Sequence, residues 1–257
     1  MRQRMFYEAG VPNPLLVLDP YPDYATVQAQ LITDGYMHPD AQIINVWHWF
    51  IDTWLPDLPS LGEFEPMPSG LFSTETVNKG NVKWSTIFKL DDEPIAREFY
   101  RHDGTIAIRH IWGEVASTRV SPRVELIDHE GQVVIRFESE FDFHKYWLSL
   151  LAPKDEKVFL IIDDWRLVDT FTNLDERFIT FFQLHNRHSF GPSYLSDIRE
   201  AHKPVLSVQN QIDGFSILTE QQKSDLEKRF GVADNYYVIP NAISPPELWA
   251  IKNILTG

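Results

Sequence analysis

His185-Asn186-Arg187-His188 closes the apolar run that ends in Gln183-Leu184. In an open α/β sheet, ligands and catalytic groups lie beyond the carboxyl ends of the strands. Two histidines three residues apart at such an end could act as a general base, or bind a phosphate or a metal. They could equally be two exposed loop side chains. A metal would need further ligands, and the spacing supplies none. Asp163 and Asp164 close another apolar run, Val158-Phe159-Leu160-Ile161-Ile162. One reading is a general base or a ligand to sugar hydroxyls; the other is a carboxylate capping the next turn. The pair does not suit glycoside hydrolysis, because adjacent side chains rarely point the same way. Trp47, His48, Trp49, Phe50 and Trp54 form an aromatic stretch. Such rings can stack on sugars, and more often they anchor a core or an interface. Asp91-Asp92-Glu93 before Pro94 reads as a short, solvated acidic turn.

The elements that must position these residues fall into three zones. In the first, Leu15-Leu16-Val17-Leu18 reads as a short strand. Residues 24–34 carry Val27, Leu31 and Ile32 at helical spacing, with Gly35 as the stop. Ile43-Ile44-Asn45-Val46-Trp47 reads as a second strand, so the order is β-α-β and suggests a parallel sheet. Pro56, Pro59, Pro66 and Pro68 make residues 55–70 an irregular connector. The middle zone changes period. Ile95 to Tyr100, Thr105 to Trp112, Val124 to Ile127 and Val133 to Phe137 read as strands around turns ending at Gly104 and Gly131, an antiparallel sheet with no helix over 79–139. The last zone alternates again. A helix over Phe141 to Leu151 precedes strands at 158–162, 178–184, 215–218 and 236–239. Thr219 caps a helix from Glu220 to Phe230, and Gly231 ends it.

Composition excludes several classes. The 257 residues carry 43% hydrophobic and 23% charged side chains, ordinary for a globular chain. The net charge of −14 argues against nucleic acid, which needs clustered Lys and Arg. The charge is concentrated in residues 1–78, with net −8, against −2 in 79–140 and −4 in 141–257. With no cysteine there is no disulfide, thiolate metal site or cysteine nucleophile. Neither a signal peptide nor a membrane span is expected, so the chain reads as soluble and cytoplasmic. No P-loop, dinucleotide fingerprint, nucleophile elbow or kinase signature is present.

The stretch from Phe215 to Ile243 adds more. It runs Phe-Ser-Ile-Leu-Thr-Glu-Gln-Gln-Lys-Ser-Asp-Leu-Glu-Lys-Arg-Phe-Gly, then Tyr-Tyr-Val-Ile-Pro-Asn-Ala-Ile. This resembles the end of the N-terminal, acceptor-side domain of retaining GT-B glycosyltransferases. The Thr-Glu-Gln-Gln-Lys version is similar to the poly(glycerol-phosphate) α-glucosyltransferases of Gram-positive bacteria, whose relatives modify teichoic acid or serine-rich adhesins. The resemblance covers roughly residues 14–247. It implies an α/β, Rossmann-like domain interrupted by an antiparallel β-sheet insertion: 1–66 and 141–257 as the Rossmann-like parts, 67–140 as the insertion, with an interdomain linker beginning at the end.

The resemblance also implies transfer of glucose or N-acetylglucosamine from a UDP-sugar to a hydroxyl on a cell-wall polymer or protein. His185 would orient or polarise groups at the cleft and His188 would support it, and Asp163 matches a strand-end acid. No cofactor or metal is implied, the UDP-sugar being a substrate. Such enzymes place most of the donor site in a second domain and in a Gly-rich first loop. Here the chain ends at Gly257 and residues 1–13 offer only Gly10, so the donor half is expected to be absent. The alternative is therefore a non-catalytic, acceptor-binding or stabilising subunit, partnered by itself or by a catalytic glycosyltransferase. A sugar-binding α/β protein unrelated to these enzymes is a third reading. A polyanionic acceptor would favour a basic patch. Arg97 and Arg109, with Arg101, Arg119, Arg123 and Arg136, are the candidates, unless they alternate with Glu on a solvated sheet face.

Overall fold

The computed structural model describes residues 2–53, 58–67, 70–113 and 122–240. Trp54, Arg119 and the Asn-Ala-Ile end of the stretch quoted above lie outside the described residues, as does the expected linker. By contact the chain divides into two compact units, Met1–Trp147 and Leu148–Gly257.

The first unit opens with α1 (Arg2–Glu8), β1 (Leu15–Val17), α2 (Tyr24–Thr33), β2 (Ile43–Asn45) and α3 (Val46–Asp52). The Asp23 carboxylate accepts the Thr26 N–H and starts α2. Gly35 follows it with φ 74, a conformation that suits glycine. β1 and β2 pair in parallel, Leu15 opposite Ile43. The strand expected to reach Trp47 stops at Asn45, whose side-chain oxygen accepts the His48 N–H at 3.1 Å and caps α3. Its amide nitrogen donates to the carbonyls of Val17 and Asp19 at 3.0 and 2.9 Å. The aromatic stretch is therefore helical and turns Trp47 and Phe50 into the core. Trp47 stacks on Phe99 and His110, with ring centroids 4.6 and 5.3 Å apart.

Those two rings belong to the antiparallel sheet of the same unit. Its strands are β3 (Gly62–Glu63), β4 (Ser73–Lys79), β5 (Val82–Leu90), β6 (Glu93–Tyr100), β7 (Ile106–Ile111), β8 (Arg123–Ile127) and β9 (Gln132–Phe137). The order across the sheet is β3-β9-β8-β7-β6-β5-β4. No helix interrupts residues 79–139 among the described residues. The acidic turn at Asp91-Asp92 has φ 50 and 66, and Leu90 pairs with Glu93. Two positive φ values in a two-residue loop mark a hairpin turn whose twist matches its strands. Its exposure is thus joined to a structural duty that charge alone did not reveal.

α4 (Glu140–Leu151) leads to the second unit: β10 (Val158–Ile162), α5 (Val168–Phe171), β11 (Phe178–Gln183), α6 (Lys203–Ser207), β12 (Gly214–Ile217), α7 (Glu220–Phe230) and β13 (Tyr236–Val238). The four strands are parallel and lie in chain order. Right-handed crossovers that always step the same way put every helix on one face. Accordingly Val168, Val205, Leu206 and Leu226 of the three helices share one core with Ile162, Phe182, Phe215 and Ile217. The opposite face carries Phe159, Ile161 and Tyr237, all exposed. Among the described residues, no helix is long and apolar enough to cross a membrane.

Candidate functional site at the carboxyl edge of the parallel sheet

Because β10 to β13 are parallel, all their carboxyl ends meet one edge. Ile162 lies opposite Phe182, so Asp163 and the residues after β11 emerge side by side. There the Asp163 Oδ1 lies 3.3 Å from the His185 Nε2, and both side chains are open to solvent. A carboxylate on one imidazole nitrogen orients the ring and fixes its tautomer, which leaves Nδ1 to accept a proton or a hydroxyl hydrogen bond. Asp164 points elsewhere. Its carboxylate accepts the Arg166 N–H at 2.9 Å and pairs with the Arg166 guanidinium, the capping role. The two neighbours thus divide the two readings between them.

The edge is held by the start of α7. Thr219 Oγ1 accepts the Gln222 N–H at 3.1 Å. The buried Gln222 amide accepts the Leu218 N–H at 3.1 Å and donates to the Asn186 carbonyl at 3.0 Å, tying α7 to the loop that carries His185. Gln222 escaped the sequence reading. The signal was a Gln three residues after a capping Thr, the pattern in which a side chain bonds back past the cap.

His188 is placed differently from His185. It is 0% exposed, and neither ring nitrogen has a hydrogen-bond partner among the described residues. Burial pushes its pKa below the ordinary 6.5, against the opposing charge of Asp225. Burial does the same to His202, against a hydrogen bond with the His188 backbone. His188 roots a tight excursion: its carbonyl accepts the Arg199 N–H, the Phe190 N–H reaches the Asp197 carbonyl, each at 2.9 Å, and Ser189 bridges Ile198. This hairpin of residues 188–199 had no period or turn pattern that the sequence reading used. Among the described residues, no group of three His, Asp or Glu side chains could hold a metal ion.

The other expected site residues, Arg97 and Arg109, lie in the first unit. Arg109 is fully buried, with Nη2 2.6 Å from Glu98 and Nη1 3.8 Å from Glu125, and its guanidinium over the Phe64 ring at 3.7 Å. These partners enclose its side chain. Glu125 also takes Arg123 at 2.8 Å and Arg136 at 3.0 Å. Arg101 donates to the carbonyls of Ile106, Ile127 and Asp128. Arg97 is half-buried, donating to Ser85 Oγ at 2.9 Å and the Pro20 carbonyl at 3.2 Å. The described sheet arginines form neither an open basic patch nor a fully solvated face.

Comparison with known proteins gives a partial likeness. No family model matches the chain. The poly(glycerol-phosphate) alpha-glucosyltransferase of Bacillus subtilis (strain 168) is 25% identical over 128 residues, 49% of this chain and 18% of that protein's length. Among solved structures, a TarM variant of S. aureus, in complex with fondaparinux, alpha-GlcNAc-glycerol and UDP, is 18% identical with a TM-score of 0.59. The match covers 95% of this chain and 57% of that one. The pneumococcal O-GlcNAc transferase GtfA, in complex with UDP and GlcNAc, is 12% identical with a TM-score of 0.52, covering 93% and 56%. The chain thus spans a little over half the length of these solved relatives. Its fold is GT-B-like, with parallel sheets and a seven-stranded antiparallel insertion.

Proposed function

We propose that this chain is the acceptor-side half of a retaining glycosyltransferase, organised as 1–66, 67–140 and 141–257, that presents a hydroxyl acceptor to a UDP-activated glucose or N-acetylglucosamine. The observation that carries the reading is the Asp163–His185 pair, open to solvent at the carboxyl edge of a parallel sheet. This is where an α/β fold receives ligands. In this role His185, oriented by Asp163, hydrogen-bonds the acceptor or the developing charge at the sugar. His188 supports it from beneath by anchoring the loop root. The acceptor is a glycan polymer or a protein hydroxyl.

A second reading, a non-catalytic acceptor-binding or stabilising subunit, draws support from a fold likeness to a chain of a GtfA/B complex, at TM-score 0.52. One assay addresses both. The purified chain is given UDP-glucose or UDP-N-acetylglucosamine with a glycerol-terminated acceptor, and UDP release is followed. No release by the folded chain alone, and release on adding a partner that binds the UDP-sugar, is expected from an acceptor half. Release by the chain alone would overturn that assignment. Enhanced turnover by a partner already active without this chain would favour the subunit reading.

A further inference from the structure

The Asp163–His185 pair cannot hold itself in place. Both side chains are open to water, and an exposed pair of this kind gains little from its own attraction. Its geometry must come from the backbone beneath. Asp163 follows Ile162, whose register against Phe182 is fixed by β10 and β11. His185 lies two residues past the end of β11, where the sheet makes one last bond: the Leu184 N–H donates to the Ser216 carbonyl at 3.0 Å. Among the described residues, the next backbone group of the loop with a hydrogen bond is the Asn186 carbonyl, which accepts from Gln222 Nε2 at 3.0 Å. His185 therefore stands between two backbone anchors, one supplied by a strand and one by a side chain.

Gln222 is suited to that bond. It is 6% exposed, so water does not readily replace a bond lost there. Its Oε1 takes the Leu218 N–H at 3.1 Å, which leaves Nε2, a donor only, facing the loop. The amide cannot turn over without losing both partners. Its backbone is fixed as well, because the Gln222 N–H donates to the Thr219 cap at 3.1 Å. Gln221, its neighbour on the same helix, is directed elsewhere, to Asp225 Oδ1 at 2.8 Å. The start of α7 thus sets the Asn186 carbonyl through one side chain, and with it the direction in which the His185 ring leaves the backbone.

We propose that Gln222 is the positioning residue of this site: by holding the Asn186 carbonyl it keeps the His185 imidazole against Asp163 and leaves Nδ1 to meet a hydroxyl. The part in sugar transfer rests on the proposed function; the ordering of His185 does not. Nuclear magnetic resonance spectroscopy of the full chain tests the ordering without any sugar donor. In wild type, three-bond couplings about the His185 Cα–Cβ bond should report one rotamer, and a cross-peak should join its ring to the Asp163 methylene. In Gln222→Leu the couplings should average and the cross-peak should be lost. Two further variants remove side-chain ties elsewhere in the same unit. Gln221→Leu loses the bond to Asp225, and Asn235→Leu loses bonds to the carbonyls of Gln209 and Ile212 at 3.0 and 2.8 Å. Both should leave His185 as it is in wild type, even where the melting temperature falls. Should Gln222→Leu fail to fold, Gln222→Glu at about pH 9.5 keeps an oxygen for the Leu218 N–H and gives the Asn186 carbonyl no proton. A single His185 rotamer in a folded Gln222 variant, averaging already in wild type, or equal averaging in Asn235→Leu would each overturn the proposal. In the chain with a partner that binds the UDP-sugar, the Gln222 variant should lower kcat about tenfold or more and leave the donor KM within about twofold. Ordering lost with turnover unchanged would instead sink only the part given to His185 in the chemistry.

Discussion

Arginine plays opposite parts in the two compact units. In the antiparallel sheet, Arg109, Arg123 and Arg136 converge on Glu125, with Glu98 completing the cluster. Around the hairpin after β11, Arg187, Arg199, Arg229 and Lys228 have no carboxylate within ion-pair distance among the described residues. The difference follows from geometry. On a sheet, side chains directly opposite one another on neighbouring strands are forced into contact, and Glu98↔Arg109, Arg109↔Glu125 and Glu125↔Arg136 are such pairs. A hairpin at a sheet edge has no facing strand to supply the countercharge. Clusters of one residue type therefore say little about binding until their partners are known.

The largest effect that could break this comparison is in the buried cluster. Arg109→Ala leaves Glu98 and Glu125 enclosed without their shared cation, and should cost about 3–5 kcal/mol. Urea unfolding of wild type and variant measures this, and a loss under about 1 kcal/mol would mean that the cluster is not closed as described. At the open edge the expectation reverses. His185→Ala removes a solvent-facing side chain, so stability should change by no more than about 0.5 kcal/mol. If the proposed function holds, sugar transfer by the chain with its donor-binding partner should fall about a hundredfold. Near wild-type turnover would remove His185 from the chemistry.

The smallest effect concerns pH. In the first unit, Glu140 lies between two imidazoles, 3.8 Å from the His110 Nε2 and 3.6 Å from the His144 Nε2. Burial, helped by Asp19, pushes Glu140 up to about 7. Burial pushes His110 down to about 4 and His144 down to about 3. A raised acid contributes stability below its unfolded value of 4.5, and loses it as pH rises towards 7. The lowered histidines act the other way: their contribution is present above 6.5 and is lost as pH falls towards 4 and 3. Glu140→Gln removes only the first. The urea midpoint of the variant, relative to wild type, should rise between pH 4.5 and 7 and level off above. Since the Glu140 side chain is 38% exposed, water screens the effect, which places it last. A difference independent of pH would show that Glu140 does not hold its proton in this cluster.

Much of the architecture was legible because its signals are local. Thr219 and Gly231 bracket α7 as caps do, apolar runs of five or six residues mark β10 and β11, and Gly104 and Gly131 mark turns. The failure at Asn45 was local too: a capping side chain inside an apolar run was read as strand. The site was half legible. That His185 and Asp163 follow strands could be read directly. That they meet could not, because their contact depends on the parallel register of β10 with β11. His188, three residues from His185, looked equivalent and is enclosed.

Residue order alone determined the succession of elements, the change from alternating α/β to antiparallel β and back, and the strand ends where polar side chains emerge. These depend on neighbours within a few residues, where propensity, capping and turn chemistry act. Only the tertiary structure decided which charges are neutralised, which histidine faces water, and which rings stay exposed. Those outcomes are set by partners far along the chain: Glu98 lies 11 residues from Arg109, and Gln222 lies 36 from Asn186. A charge is available for binding only if packing brings no countercharge to it, and packing is decided across strands and helices rather than along them.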